Sequence, residues 1–188
     1  MAHTRFKFLT IDEMSTEQRR IAERAMSGPT RKRGGGWNVF VRSVGVAGPL
    51  EQLGEYVRFK SDIPQRLKEL VIVIMARRLT AQYAWSVHYP AAIKTGISVS
   101  ALDQIAAGQR PTDLQPDETV IYDFCVTLLE GKNISDATFA SVVDEYGESG
   151  LVDLLALMGY YFILGMALTV DKFPPVEGNA PVLMPLAG

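Results

Sequence analysis

The stretch DIPQRLKELVIVIMARRLTAQYAWSVHYPAAIKTGIS, Asp62 to Ser98, decides the fold. Pro64 suits the first position of a helix, and the apolar residues after it recur at three- and four-residue spacing without an intervening glycine or proline. This pattern predicts one helix over about residues 64–79. A second helix is expected over about residues 81–94, and Gly96 is typical of a helix C-terminal end.

Two titratable side chains interrupt these helices. Glu69 falls on an otherwise apolar face of the first helix, where a carboxylate is costly unless it is paired or hydrogen-bonded. His88, one of two histidines in the chain, lies on the same stripe of the second helix as Ala81 and Ala84. A histidine and a glutamate on adjacent helices can carry out general acid–base chemistry without a cofactor.

The composition is typical of one globular domain with a substantial core, because 47% of the 188 residues are hydrophobic. A net charge of -2 gives no electrostatic footprint for nucleic acid. Cys125 is the single cysteine, which excludes an internal disulfide, a CxxC redox pair and a cysteine-rich zinc site. Because residues 1–15 lack the apolar segment of a signal peptide, we expect a cytoplasmic protein.

The other helix signals predict an all-α fold of about seven to eight helices. A serine-to-glutamine capping box at Ser15 opens a short charged helix, and strand signals are absent. The further helices are expected over residues 49–60, from 98 or 100 to 107, over 116–130, from 135 to about 146, and from 149 or 150 to about 170.

The last of these helices contains 17 consecutive residues without a charge, Leu154 to Val170. That length lies at the bottom of the range for a membrane span. Asp153 precedes the run, two charges close it, two glycines interrupt it, and no positively charged flank orients it. We therefore expect a buried central helix and no membrane association. A helix that is apolar on every side has to be covered on every side, which favours oligomerisation in so small a chain.

Three segments are expected along the chain. Residues 1–36 would form an N-terminal arm, a short helix and a glycine-rich loop, residues 37–173 the helical domain, and residues 174–188 a C-terminal tail with prolines near its start. The loop at residues 30–36 is basic and leads into an apolar patch that begins at Trp37. It lacks the order of a phosphate-binding loop, and it suits either a mobile lid or a structural plug.

The spacing of Glu69, Ala81, Ala84 and His88 resembles the carboxymuconolactone decarboxylase family, which includes the alkylhydroperoxidase D-like proteins. The peroxidase branch has a glutamate followed, twelve residues later, by the first cysteine of CxxCxxxH. Both cysteine positions are alanine here, so the chain is closer to the decarboxylase-like branch. The resemblance covers roughly residues 37–170, and it implies an alkylhydroperoxidase D-like helical bundle that assembles as trimers or hexamers.

The resemblance also implies a cofactor-free enzyme that acts on a small carbonyl or lactone carboxylic acid, as a decarboxylase or, alternatively, as an isomerase. His88 would donate a proton to carbon and Glu69 would orient the imidazole. No metal is expected, since this pair offers two ligands where a catalytic zinc takes three. Four further residues are candidates for substrate binding: Tyr83 for an oxygen, Trp85 as an apolar wall, Arg77 as a carboxylate anchor, and Trp37.

Two other functions and one structural interpretation stay open. A peroxiredoxin-type oxidoreductase would need Cys125 to be exposed in an electropositive setting. A non-catalytic oligomeric binding protein would have kept the fold and lost the chemistry. His88 could also be an ordinary core or interface histidine with Glu69 as its salt partner.

Overall fold

The computed structural model describes residues 4–27 and 36–186, and within them the chain is all-α with no β-strand. A short 3-10 turn, Ile11–Glu13, precedes the helices, and a π-helical turn, Tyr56–Lys60, follows the third. The α-helices are α1 Thr16–Ser27, α2 Gly36–Phe40, α3 Val44–Glu55, α4 Gln65–Arg78, α5 Gln82–Thr95, α6 Val99–Ala106, α7 Pro116–Leu129 and α8 Asp136–Asp171. The predicted fold class is thus confirmed, and the basic, glycine-rich part of the predicted loop lies outside the described residues.

Most helix ends carry the signals that the sequence predicts. Ser98 accepts a hydrogen bond from the backbone N–H of Ala101 at 2.9 Å and so caps α6. Gly96 ends α5 in the left-handed conformation with φ of 106°. Within α8, Gly147 has φ of 69° and ψ of 173°, which breaks the helical path. The two successive helices predicted there are therefore present, joined at this kink.

The start of α3 differs from the prediction. We expected a helix to begin at Pro49, but α3 begins at Val44 and contains Pro49 in its interior. A proline inside a helix removes one backbone hydrogen bond. Packing of α3 against α1, α2 and α8 carries the helix through that position, so tertiary contacts outweigh the local signal.

The core is built around α4. Every residue of α4 from Leu67 to Arg77 is buried, and the helix packs against α5, α6, α7 and α8. The ammonium of the buried Lys68 has a hydrogen-bond partner, because it donates to the carbonyl of Ser61 at 2.9 Å. Because neighbours surround this part of α4 on all sides, each charged side chain that it buries is costly unless it has a partner.

The long helix α8 packs on one face only. It contacts α2, α3, α4, α5 and α7, and buries residues such as Leu154, Leu157 and Tyr161. The opposite face is an exposed apolar stripe at three- and four-residue spacing, made of Val152, Leu155, Phe162, Ile163, Met166 and Val170. The predicted central helix is therefore buried on one side rather than on all sides. By length and composition alone α8 could also cross a membrane, and 44% of its most apolar window is buried inside the fold.

Both chain ends pack against the helices. In the N-terminal arm, the backbone N–H of Phe6 donates to the Asp171 carboxylate at 2.7 Å. In the C-terminal tail, the Gln82 side chain donates to the carbonyl of Leu183 at 2.6 Å and accepts from its N–H at 3.1 Å. Val176 donates to the Ser86 hydroxyl at 2.9 Å. The arm and the tail are thus attached to the helical domain, and the predicted segment boundaries stay a prediction.

Candidate active site

Glu69 and His88 meet between α4 and α5. The Nδ1 of His88 lies 2.8 Å from Oε2 of Glu69, and the two residues are only 8% and 5% exposed. A hydrogen bond of this length to a carboxylate is charge-assisted, and few water molecules compete with it at this depth. The predicted contact between the two side chains is confirmed.

A second hydrogen bond satisfies the other oxygen of Glu69. The side-chain amide of Gln65, one turn earlier in α4, donates from Nε2 to Oε1 at 3.0 Å. Both carboxylate oxygens therefore have a partner, which offsets the cost of burying the charge in an apolar core. With both oxygens held, the carboxylate is fixed in one orientation toward the imidazole.

Tyr161 reaches the same imidazole from α8. Its hydroxyl lies 3.5 Å from Nε2 of His88, and the two rings meet edge to face at 5.3 Å between centroids. In the tautomer that donates its Nδ1–H to the Glu69 carboxylate, Nε2 is the nitrogen that can exchange a proton with a ligand or with the tyrosine hydroxyl. Side chains from three helices thus form one continuous chain of polar contacts, in the order Gln65, Glu69, His88 and Tyr161.

A tight turn between α4 and α5 sets the phase of the two helices. Thr80 lies in this turn with φ of 49°, a left-handed conformation that is unusual for a β-branched residue. The N–H of Ala81 donates back to the carbonyl of Ala76 at 2.8 Å. This turn fixes which side of α5 faces α4. The strained backbone of Thr80 therefore lies at the point that aligns His88 with Glu69.

Two of the three aromatic residues predicted to bind substrate, Tyr83 and Trp85, lie elsewhere on α5. The Tyr83 ring packs edge-on against Phe173 at 4.7 Å between centroids, and burial raises the pKa of its phenol. Trp85 is fully buried and its ring lies 5.4 Å from that of Tyr89. The ring contacts that the structure describes for both residues are with other aromatic residues, so their role toward a substrate stays a prediction.

Tyr83 also lines a pocket of about 320 Å³ at the start of α5. Ala81, Phe173 and Pro174 form other parts of its wall. Because Ala81 precedes His88 by seven residues on the same stripe, this pocket starts roughly 10 Å from the histidine along the helix axis. Neither His88 nor Glu69 lines this pocket.

The other two predicted substrate residues also lie apart from the pair in the contacts that the structure describes. Arg77 lies in the last turn of α4, and its guanidinium reaches the hydroxyl of Thr80 at 3.5 Å. Trp37 is half-buried in α2, which packs against α3 and α8. Neither one has a described hydrogen bond to His88 or Glu69, and their roles stay predictions.

The lone thiol is enclosed. Cys125 lies in α7 with 0% exposure, and burial raises the pKa of its thiol well above the usual range. A peroxidase needs an accessible thiolate, so the requirement set for the oxidoreductase alternative is not met. Among the described residues, no group of three or more histidine, cysteine, aspartate or glutamate side chains is placed to hold a metal ion.

Sequence reasoning missed Gln65 and Tyr161. Gln65 precedes Glu69 by four residues, a spacing at which an amide meets a carboxylate on a helix, so a local signal existed. Tyr161 is one of two consecutive tyrosines in an uncharged run, and a buried phenol requires a hydrogen-bond partner. That requirement marks Tyr161 as a polar site but does not identify its partner.

Comparison with known proteins agrees with the motif. Residues 46–122 match the model of the Carboxymuconolactone decarboxylase family. The match begins within α3, ends within α7, and includes Glu69, Ala81, Ala84 and His88. No curated protein matches the chain. This match, over 77 of the 188 residues, agrees with the resemblance seen in the sequence.

Proposed function

We propose that this protein is a cofactor-free acid–base enzyme that removes CO₂ from a small carbonyl or lactone carboxylic acid. The observation that carries the proposal is the buried hydrogen bond of 2.8 Å between His88 and Glu69. A histidine held in this way has a fixed orientation and an acceptor that stabilises its protonated form. Proton donation to a carbanionic carbon needs both properties.

The reaction divides into two steps. In the first, the bond between the carboxylate carbon and its neighbour breaks, CO₂ leaves, and the electron pair stays as a dienolate conjugated to the carbonyl. In the second, the Nε2–H of protonated His88 transfers its proton to carbon, and the neutral imidazole regains a proton from solvent. Glu69 acts as a positioning residue, because its negative charge favours the imidazolium and holds the ring.

Tyr161 contributes on the substrate side of the imidazole. Its hydroxyl, 3.5 Å from Nε2, is close enough to tighten to a hydrogen bond when a ligand binds. It can then donate to a developing enolate oxygen or relay the proton from His88. Gln65 supports the pair indirectly, because it holds the second oxygen of Glu69.

The second candidate function is a non-catalytic binding protein of the same fold. The 8% exposure of His88 favours it, since a histidine that no substrate reaches serves only to pair Glu69. The two proposals differ in one property. An enzyme must admit a ligand to Nε2 of His88, whereas a binding protein need not.

Turnover distinguishes the two. Purified protein would be incubated with carboxymuconolactone, the lactone acid in the family's name, and with related lactone acids, and the release of CO₂ would be followed. We expect release that depends on His88, with the folded state of each variant checked by circular dichroism. Absence of turnover in the wild-type protein would refute the enzymatic proposal, and turnover that His88→Ala leaves intact would refute the role of His88 in it.

We also propose that the protein is a homo-oligomer, a trimer or a hexamer as the resemblance implies. The exposed apolar stripe of α8 supports this, because monomeric proteins rarely expose a contiguous apolar surface of that kind. A second copy of the chain would cover the stripe in the same way as the chain covers the opposite face.

A further inference from the structure

Arg77 is a buried cation without a buried counter-ion. The residue is 6% exposed, and its Nε is enclosed with no hydrogen-bond partner. Its one described side-chain contact is the 3.5 Å approach of Nη1 to Thr80, and none of the described carboxylates forms an ion pair with it. Burial accordingly lowers the pKa of the guanidinium. The charge is thus desolvated at a cost that the described part of the chain does not offset.

Other arginines in this protein show the usual arrangement. Arg24 lies 2.7 Å from the buried carboxylate of Glu51. Arg66, on the same helix as Arg77, pairs with Asp117 at 2.6 Å and with Glu118. Each of these arginines has an acidic partner from another helix. Arg77 differs from both, and its missing partner is an anion.

A pocket lies directly against Arg77. It has a volume of about 130 Å³ and apolar walls that come from α4, α6, α7 and the C-terminal tail, formed by Ile74, Ile105, Val126, Leu129 and Leu186. Tyr122 adds an aromatic wall. An apolar cavity of about 150 Å³ holds a molecule the size of benzene, so this slightly smaller pocket suits a hydrocarbon group of about four to six carbons.

No acidic group of the pocket competes for Arg77. Glu130 is the one acidic residue in its lining, and its carboxylate lies 2.6 Å from the ammonium of Lys132. Arg78, at the same end of α4, adds a second positive charge to the wall and donates to the carbonyl of Leu129 at 3.2 Å. The pocket is therefore apolar in its walls and positive in its charge.

We infer that this pocket binds a small organic monocarboxylate, with its carboxylate on Arg77 and its hydrocarbon part against the α6 and α7 walls. An arginine can hold a carboxylate through two parallel hydrogen bonds, and the low dielectric of the site strengthens both. His88 and Glu69 are not part of the pocket lining. This is therefore a second ligand site, independent of the proposed reaction.

The C-terminal tail holds one wall of this site in place. Gln82 binds both backbone polar groups of Leu183, which is itself buried. Three residues later, Leu186 lies in the pocket wall and close to Gly108, where an added Cβ would come within 2.6 Å of its side chain. The position of Leu186 thus depends on a tail that is fixed at Leu183.

Benzoate and benzamide form a suitable pair of probes, because they have nearly the same shape and differ in charge. Calorimetric titration of the full chain should show binding of benzoate at least about tenfold tighter than of benzamide, since only the carboxylate pairs with the guanidinium. Isotope-filtered NOEs should connect the benzoate ring protons with the methyl groups of Ile105 and Val126. Those NOEs identify this pocket and not the surroundings of His88 as the site.

Two variants and one control complete the test. Arg77→Met keeps the aliphatic stem and should weaken benzoate binding at least about tenfold. Val126→Phe fills the pocket and should abolish the NOEs while Arg77 remains. Arg58→Met removes the same charge from the π-helical turn, outside the pocket, and should leave the affinity within about twofold.

Several results would overturn the inference. These are no benzoate binding to the wild-type protein, equal affinity for benzamide, unchanged affinity in a folded Arg77→Met variant, or NOEs only to residues around His88. If Arg77→Met does not fold, the Val126→Phe variant and the location of the NOEs still decide the question. Loss of turnover in His88→Ala has no bearing on this site, so the two proposals fail separately.

Discussion

Glu69 and Arg77 lie about two turns apart on one buried helix, and they differ in how their charges are satisfied. Both oxygens of Glu69 have partners, Gln65 on one side and His88 on the other. Arg77 has one long contact, to Thr80, and an enclosed Nε without a partner. One buried charge is thus neutralised inside the chain, and the other still needs a partner from outside the described residues.

This difference separates two uses of a buried charge. A carboxylate with fixed partners on both oxygens keeps its geometry while a proton moves along the line to His88, so it suits catalysis. A cation in an apolar pocket without a counter-ion gains most from binding an anion, so it suits recognition. The predictions that follow test the Glu69 side first, because the largest effects are expected there.

His88→Ala should have the largest effect on turnover. The substitution removes the only group of the pair that can transfer a proton, and one positioned proton donor contributes at least about 10²-fold to rate. The measurement is kcat on a lactone acid that the wild-type protein converts. The fall should appear mainly in kcat, because the imidazole acts in the transition state more than in substrate binding.

A stability control accompanies this variant, since removal of His88 leaves the Glu69 carboxylate with Gln65 alone. The thermal midpoint and the oligomeric state should be measured on the same preparation. A His88→Ala protein that remains folded and oligomeric and works at the wild-type rate would exclude the acid–base mechanism. Turnover would then have to come from another group, whereas a wild-type protein without turnover would leave the binding-protein proposal.

Glu69→Gln should have a smaller effect, on the order of tenfold. The amide preserves the shape and can still hydrogen-bond to the imidazole, but it lacks the charge that favours the imidazolium. The pH profile of kcat provides the specific readout. Because His88 acts in its protonated form, loss of the carboxylate should move the alkaline limb of the profile to lower pH. An unchanged profile together with a reduced rate would mean that Glu69 acts through packing alone.

The sequence predicted the Glu69 side of this comparison better than the Arg77 side. The boundaries of α4 and α5 agree with the prediction to within one residue, because both helices have periodic apolar faces and clear end signals. Helical spacing and the family motif then identified Glu69 and His88 as a pair. Tyr161, 73 residues after His88, could not be assigned, since no local pattern encodes a contact at that separation.

Arg77 was predicted to anchor the carboxylate of the substrate on which His88 acts, and that role stays a prediction. The structure describes no hydrogen bond between Arg77 and His88 or Glu69. In the structure its pocket is formed by residues of α6, α7 and the tail, such as Ile105, Val126 and Leu186. These segments come together only in the folded chain. Tertiary packing likewise decides which face of α8 stays exposed.

The helices α4 and α8 also differ in how completely the chain covers their apolar side chains. The chain covers α4 completely from Leu67 to Arg77, whereas α8 exposes side chains such as Leu155, Ile163 and Met166. Light scattering should therefore give a mass of several chains. Leu155→Glu with Ile163→Glu should lower that mass toward one chain, because a buried unpaired carboxylate in the interface is costly.

Two exposed polar substitutions outside the stripe, Glu145→Gln and Glu148→Gln, provide the control, and they should leave the mass unchanged. A wild-type protein of monomeric mass at every concentration would contradict the oligomeric proposal. Any change of turnover in the double glutamate variant should be smaller than that of Glu69→Gln, because none of the described contacts of the His88 imidazole comes from this stripe.

Cys125 is a third buried titratable group, and its substitution should have the smallest effect on function. Unlike Glu69, Cys125 carries no charge that needs a partner, and it is fully buried. This burial raises the pKa of its thiol. The stability that the neutral thiol contributes is present below the unfolded pKa of about 8.5 and is lost as the pH rises above that value. At pH 8 the folded protein should therefore not react with a disulfide reagent, and should react fully after denaturation.

Cys125→Ser should cost about 1 to 2 kcal/mol of stability through the buried hydroxyl and leave turnover within about twofold. If the wild-type protein consumed hydroperoxide and Cys125→Ser stopped it, the thiol would be catalytic, and the core packing of α7 would have to open to expose it.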